Sequence, residues 1–435
     1  MTDWDFTPPP PSELADREVA PEGDHLAGRR VALLVTGGIA AYRAPILARA
    51  LRRQGAEVVA FASDEGLRYV ARDALEWATR NPVVERLTAR AEHLSDEARF
   101  DAFLVAPATY NTLNKLALGI ADSPVTATLA SALGRMERGE AAVLVAPTMH
   151  GSLHTSILTA SLERLAGLGV RVIPPREDYG KHNLPSEEVL VAEVCRAVSD
   201  SPLKGVPVLV TGGPTPVPID DVRRITNRFS GRLGGRIAEE LHLRGAAVRL
   251  IHGQGAYQPP AHLPGVMAKT YDDYRRLVAE EITAHGHRFG VFTAAVADYR
   301  PRQARSGKTP SGAESWSVEL VPTAKVIREV RERFPELHMV TFKLEEGVGR
   351  DELLAIARRR LAEGYQAVVA NLGEEMGPGD EQVAYLVTAE GEPRRMVGKP
   401  EIARGIAEHL EAAAGADGAV VGGRTGGSRP GDGAR

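Results

Sequence analysis

Three stretches of the chain carry residue types and spacings that could do chemistry. Thr36, Gly37 and Gly38 close the apolar run RRVALLVTGG at 29–38, just ahead of a helical pattern. Glycines there let the backbone approach an anion, and the first N–H groups of a helix have no partner within it, so a phosphate fits. The third glycine of a dinucleotide fingerprint is missing, which favours a mononucleotide such as FMN over NAD; a plain tight turn is the alternative. The second stretch, GPTPVPIDDVRRITNRFSGRLGGR at 213–236, sets Ser230, Gly231, Gly234 and Gly235 before or at a helix start, where they suit an anion or a simple cap. In the third, His150 and His154 are four residues apart and could share a helix face and hold a metal. No HExxH glutamate or clear third ligand accompanies them, so the metal content is unknown.

The elements that must position these residues can be read from hydrophobic pattern. After the first glycine turn come a helical segment, IAAYRAPILARALRRQGAE, and a second apolar run, VVAFAS. The same strand, turn, helix, strand order restarts at VPVLVTGG, 206–213, and the pentapeptide LVTGG stands at both 34–38 and 209–213. Further apolar runs, AFLVAPA and AAVLVAPT in the first half and GVFTAAVADY, HMVTFKLE and AVVANLG in the second, suit buried parallel strands. The expected fold class is α/β: two tandem Rossmann-like three-layer domains with mostly parallel sheets. Ligands of such sheets bind at the carboxyl ends of strands, where each run stops.

Composition agrees. Of 435 residues, 43% are hydrophobic and 25% charged, near the globular average, which disfavours wholesale disorder and coiled-coil or collagen-like classes. With 53 basic and 57 acidic residues the net charge is −4, giving no global reason to expect a nucleic acid or an anionic membrane as partner. No apolar run reaches the ~20 residues of a membrane span. A single cysteine forbids an intramolecular disulfide and suits a reducing cytoplasm. Residues 1–28, with the run PPPP and few apolar side chains, are expected to form a disordered arm, and the glycine-rich 415–435 a flexible tail. Breakers at Asp200, Ser201, Pro202 and Gly205 place a first domain at 29–200 and a second at 206–412.

The run APATYNTLNKLALGIADSPV at 106–125 makes the reading more specific. A strand ending in Ala106, Pro107, Ala108 and Thr109, then Asn111, then a helix closing on Gly119, resembles the flavin-binding segment of FMN-dependent cysteine decarboxylases. TGGIAAYR at 36–43 is similar to that family's phosphate segment, and His93, eight residues before Asp101, falls where the family carries its catalytic histidine. In the second half, DDVRRITNRFSGRLG at 220–234 resembles the ligase signature DPVRxISNxSSGxMG, matching Arg223, Asn227, Ser230, Gly231 and Gly234. AAVADY at 294–299 is followed by Lys308, ten residues after Asp298, which matches the spacing of a triphosphate-binding lysine; FKLEE at 342–346 and AN at 370–371 are similar to later strand ends. Together, over about 29 to 412, the chain resembles the bifunctional phosphopantothenoylcysteine decarboxylase/phosphopantothenate–cysteine ligase family of coenzyme A synthesis.

The resemblance implies two chemistries. The first half would bind FMN through Thr36, Gly37, Gly38, Ala106, Pro107, Thr109 and Asn111, oxidise a substrate thiol, lose carbon dioxide from the thioaldehyde and reduce the resulting ene-thiol, with His93 as base. The second would join phosphopantothenate to cysteine through an acyl-cytidylate made from CTP with Mg²⁺. There Lys308 would clamp phosphate, Asn227 would handle the acyl carbonyl, and Arg223, Ser230, Gly231, Gly234, Ala295, Asp298 and Phe342 would contact nucleotide or substrate. A cytoplasmic homo-oligomer is implied.

Departures are visible too. The family's Pro-X-Met-Asn-X-X-Met appears as Pro147 to Leu153 with His150 in place of the asparagine that grips the substrate carboxylate. The flap at 173–189 contains no cysteine, and Cys195 lies further on in a helical pattern. A late Lys-Asn pair is Glu363-Gly364 here, and Arg232 replaces a lysine. The alternative reading is therefore a ligase-like protein whose flavoprotein half is altered, making another product or serving assembly or regulation.

Overall fold

A computed structural model describes residues 7–8, 10–94 and 99–422. The chain divides into two compact units, 1–199 and 200–435.

In the first unit the strands are β1 (Arg30–Val35), β2 (Glu57–Ala62), β3 (Ala102–Ala108), β4 (Ala142–Pro147), β5 (Met149–His150), β6 (Arg171–Val172), β7 (Arg176–Asp178) and β8 (Lys181–Asn183). The helices are α1 (Ala44–Arg53), α2 (Asp64–Leu67), α3 (Arg72–Thr79), α4 (Tyr110–Leu118), α5 (Pro124–Glu137), α6 (Ser156–Gly167) and α7 (Glu187–Val198). The main sheet is parallel in the order β2-β1-β3-β4-β6. Strands β1 and β3 are buried along nearly their whole length, as unbroken apolar runs require when helices cover both faces. The order reverses between β1 and β3, which opens a crevice at their carboxyl ends. Helix α5 starts there, with Pro124 at its first turn and Ser123 and Thr126 in a reciprocal capping box.

The second unit has β9 (Pro207–Gly212), β10 (Val217–Pro218), β11 (Arg224–Ile225), β12 (Ala247–Gly253), β13 (Gly265–Ala268), β14 (Phe289–Phe292), β15 (Tyr299–Pro301), β16 (Leu320–Pro322), β17 (His338–Glu345), β18 (Ala367–Leu372), β19 (Val383–Thr388) and β20 (Arg394–Val397). Its helices are α8 (Arg232–Leu243), α9 (Tyr271–His285), α10 (Val326–Arg333), α11 (Arg350–Leu361) and α12 (Lys399–Gly422). The sheet runs β13-β12-β9-β14-β17-β18-β19-β20, parallel except for the last two pairings. Successive side chains of β9 face opposite ways: Val208 and Val210 pack with Ile237 and Leu241 of α8, Leu209 with Tyr274 and Val278 of α9. Both faces are thus covered and the three layers follow. Here the order reverses between β9 and β14.

The ends of the chain depart from expectation. Leu26 is fully buried, Leu26 N–H donates to Gln54 O at 2.8 Å, Glu22 N–H to Arg53 O at 2.9 Å and Arg17 to Glu76 O at 2.6 Å, so 15–28 is tied to the first unit and is no disordered arm. Main-chain bonds made by α1 and α3 outweigh the scarcity of apolar residues. Helix α12 continues to Gly422, past the expected start of the tail; residues 1–6 and 423–435 lie outside the described residues.

Candidate active sites

Both glycine turns open onto cavities at the reversal points. In the first unit a cavity of about 750 Å³ is lined by Thr36, Gly37, Gly38, Thr109, Asn111 and His150 of the predicted residues. Three helical starts reach it: the short turn after Gly38, α4 after Thr109, and α5 after Ser123. Neither Gly38 nor Thr109 caps its helix by a side chain, so N–H groups remain for an anion. The Thr36 hydroxyl donates to Pro107 O at 2.7 Å and ties the two reversal-point loops together. A Cβ on Gly37 would lie 2.4 Å from Glu65 Cβ, so this turn requires glycine by packing against α2. A cavity of this size with free helix-start N–H groups fits a flavin mononucleotide. Ala106 is buried in β3 and Pro107 acts through its carbonyl; neither lines the cavity.

His150 borders this cavity on β5. Its Nδ1 accepts from Ser152 N–H at 3.2 Å and meets Ser152 Oγ at 2.8 Å. The neutral ring therefore carries its proton on Nε2, which leaves that nitrogen as a donor. His154 does not share a helix face with it; His154 Nδ1 lies 2.7 Å from Nε2 of His182 on β8. His93 is half-buried with Nδ1 enclosed and unpaired among the described residues, and it is not in the cavity wall.

The flap contains a hairpin. β7 and β8 pair antiparallel through Tyr179 and Gly180, both with positive φ (54° and 65°), the conformation of a type I′ turn. It brings Lys181, His182 and Asn183 into the cavity wall, none of them foreseen from sequence. Tyr-Gly between polar triplets was the available signal, weaker than Asn-Gly. Cys195 is buried on α7.

The second cavity, about 580 Å³, lies between the ends of β9 and β14 and the start of α8. Of the residues singled out in the sequence, Ser230, Gly231, Gly234, Ala295 and Phe342 line it. Gly231 has φ 89°, and a Cβ there would meet His252 Nε2 at 2.4 Å and Gly213 Cα at 2.7 Å; one on Gly234 would meet Gly212 Cα at 2.8 Å. The helix start and the strand end are thus packed backbone to backbone. The cations in this wall, among the described residues, are Arg228, Arg232 and Lys399. Lys399 was missed because it opens a helix far along the chain; its Nζ donates to Gly379 O at 2.7 Å, and burial pushes its ammonium below its ordinary pKa. Arg232 stands 5.7 Å over the Tyr257 ring.

Arg223, Asn227, Asp298 and Lys308 are not in that wall. Asp220 gathers the first and last: its carboxylate accepts from Val222 N–H (2.9 Å), Arg223 N–H (2.7 Å), Arg223 Nη1 (2.7 Å) and Thr309 N–H (3.1 Å). Burial alone would raise this carboxyl, but the converging N–H groups of Thr309, Val222 and Arg223 hold it well below the usual range. Asp221 likewise accepts from Gly307 N–H at 2.8 Å, so the Lys308 loop is clasped to the loop of Arg223. The Asn227 amide donates to the Ala295 and Val296 carbonyls, at 2.9 and 3.4 Å, and Asp298 pairs with Lys325. Glu363 lies 3.9 Å from Arg328, and Arg360 donates to Phe342 O at 2.9 Å.

Residues 19–199 match the family described as Flavoprotein, and residues 203–413 the DNA/pantothenate metabolism flavoprotein C-terminal domain. The class is thus a flavoprotein unit followed by a pantothenate-metabolism unit. The chain is 34% identical over 393 residues to the coenzyme A biosynthesis bifunctional protein CoaBC of Thermococcus kodakarensis, spanning 89% of this chain and 96% of that one. The CoaBC proteins of Methanocaldococcus jannaschii (28%; 89% and 94%) and Bacillus subtilis (30%; 85% and 93%) are similar. Among solved structures, the DNA/pantothenate metabolism flavoprotein of Streptococcus pneumoniae is 28% identical with TM-score 0.44, covering 48% of this chain and all of that one. The chain belongs to the CoaBC family of coenzyme A biosynthesis bifunctional proteins. Among the described residues no helix is long and apolar enough to cross a membrane.

Proposed function

We propose that the second unit joins phosphopantothenate to cysteine at the expense of CTP, and that the first decarboxylates the product to phosphopantetheine with FMN. The observation that carries this is the pair of cavities at two reversal points, one rich in helix starts and histidines, the other in cations. The working protein is a cytoplasmic homo-oligomer on this reading.

In ligation, a substrate carboxylate oxygen attacks the α-phosphate of CTP and pyrophosphate leaves; the cysteine amine then attacks the acyl carbon and CMP leaves. Charge stabilisation on phosphate matters more here than a protein nucleophile. Arg228, Arg232 and Lys399, with the N–H groups opening α8, supply it, and Mg²⁺ accompanies the nucleotide. Lys308 is a further clamp and Asp298 a nucleotide or metal contact. Asn227, its N–H₂ engaged by two carbonyls, acts by fixing the end of β14 beside the acyl group.

In decarboxylation, bound FMN would supply a two-electron oxidation of the substrate and its reversal. Thr36 to Gly38 and Thr109 to Asn111 would hold it at the reversal point. His150 Nε2–H donates to the substrate carboxylate; His93, outside the wall of this cavity, is the base for the thiol proton only if the bound substrate or a second copy brings the two together. The test is twofold: pyrophosphate release with CTP, phosphopantothenate and cysteine each omitted in turn, and carbon dioxide release from phosphopantothenoylcysteine by the yellow protein. Pyrophosphate release that turns over many times without cysteine, or CMP release that ignores cysteine, sinks the ligase reading; absence of carbon dioxide with flavin bound favours an altered first unit.

A further inference from the structure

We infer that the second unit carries a site for a borderline divalent transition ion such as Zn²⁺, formed by Glu281, His285 and His287 at the end of α9, apart from both cavities. Glu281 and His285 are four residues apart and so share one helix face. Gly286 then takes φ 57°, ending the helix in the left-handed region and turning the chain so that His287 returns toward the same face. One ligand atom from each of the three side chains lies within 4.8 Å of the others.

The second observation concerns His287. It is only 6% exposed, and neither ring nitrogen has a hydrogen-bond partner among the described residues. A buried imidazole left unpaired at both nitrogens is costly, and an ion that one of them ligates removes that penalty. Its neighbour His285 is exposed, with Nδ1 3.1 Å from Glu281 Oε2. Two imidazoles and one carboxylate, open to solvent on one side, are a donor set for zinc with water in the fourth position. Mg²⁺ and Ca²⁺ prefer oxygen-rich sites and are disfavoured.

Arg249 on β12 fixes the carboxylate, its Nε and Nη2 donating to Glu281 Oε2 and Oε1 at 3.0 and 2.8 Å. An outer partner of this kind orients a ligand. Its positive charge weakens attraction for a bare dication, so imidazoles rather than net charge must supply the affinity. The site lies where α9 ends and the chain enters β14 at Phe289, opposite the carboxyl ends of the strands where the nucleotide cavity opens. Its effect is therefore on stability of the unit rather than on the reacting groups.

The experiment is calorimetric titration of ZnSO₄ into the chelator-treated full-length protein, with thermal unfolding in parallel. One equivalent should bind and raise the unfolding midpoint, and Co²⁺ in its place should give visible d–d absorption of tetrahedral character. His285→Ala, at the exposed ligand, and Glu281→Gln, at the half-buried one, should weaken binding about tenfold or more and abolish the midpoint shift while leaving pyrophosphate release unchanged. His287→Ala should do the same; should it fail to fold, the other two variants decide. No stoichiometric binding by the unmutated chain, or equal affinity in His285→Ala and Glu281→Gln, overturns the site and points to other histidines such as His154 and His182.

Discussion

The two cavities open where a parallel sheet reverses its strand order and, on the proposed reading, solve one problem, binding an anion, with different materials. In the first unit helix-start N–H groups and side chains of mixed charge, Asp64 and Glu65 against Lys115, surround the space, and a hairpin carrying Lys181, His182 and Asn183 closes one side. In the second, backbone packs on backbone at Gly212, Gly213, Gly231 and Gly234, and three long cations enter the wall. A tightly held cofactor with one phosphate group needs shape and a few fixed donors. A triphosphate that must bind, break and leave needs mobile positive charge.

The sharpest way to break this comparison is to crowd each glycine turn in turn. Gly231→Ala places a Cβ in left-handed backbone, 2.4 Å from His252 Nε2 and 2.7 Å from Gly213 Cα. The conformation alone costs about 1–2 kcal/mol, and the overlap pushes α8 off β9. Pyrophosphate release should fall by about a thousandfold or more, while the 450 nm flavin band persists. Gly37→Ala, with its Cβ 2.4 Å from Glu65 Cβ, should do the reverse: lose flavin and carbon dioxide release but keep ligation. Loss of both activities in either variant would mean the units do not work independently.

Next in size is the source of charge in the second cavity. Lys399 lines it and is half-fixed by Gly379 O, whereas Lys308 sits on a loop clasped by Asp220 and Asp221 outside the wall. Removing a cation from the wall should lower kcat/KM for CTP about a hundredfold, or ~2.7 kcal/mol, in Lys399→Met. Lys308→Ala should also lose activity. A silent Lys399→Met with an inactive Lys308→Ala would return the phosphate clamp to Lys308 alone.

What the sequence revealed and concealed divides along physical lines. Local signals were legible: the repeated LVTGG turns, the apolar runs of β1, β3 and β9, and the glycines opening α8 all sit where a short-range pattern places them. Residues brought in by long-range packing were not. Lys399 reaches the wall from a helix more than 150 residues beyond Ser230, and the hairpin at 176–183 depends on a Tyr-Gly turn with little propensity of its own. Matching a signature also placed Arg223, Asn227 and Lys308 in one site. Spacing along a chain does not say which way an amide or ammonium points, and the Asp220 clasp, a buried acid gathering donors from two loops, decides it instead. The arm at 15–28 was misjudged because composition counts side chains, while its anchors are largely backbone carbonyls of α1 and α3.

A smaller effect sharpens the first cavity. If His150 Nε2–H takes the asparagine's part, His150→Asn keeps a donor of similar reach and should retain carbon dioxide release within about threefold, whereas His150→Leu should lose about tenfold to a hundredfold through an unpaired carboxylate. Equal loss in both variants would give the imidazole a role in proton transfer that an amide cannot perform.

The smallest expected effect is on stability, and it belongs to the second unit. His252, beside Gly231, and His409 of α12, whose Nε2 lies 3.0 Å from that of His338, both have pKa values lowered by burial. A buried imidazole that stays neutral while the unfolded chain takes up a proton lets the unfolded state bind more protons. Stability is then full above the unfolded value of ~6.5 and falls as pH drops below it. The unfolding midpoint of the second unit should decline by about 2–4 °C between pH 7 and pH 5, and His409→Gln should flatten part of that slope. The decline must appear in unfolding followed by a probe in the second unit, because buried His252 and half-buried His409 both belong to it. A slope unchanged by His409→Gln would leave it to His252, whose ring packs directly under Gly231, and to His287, whose imidazole burial pushes down to about 4.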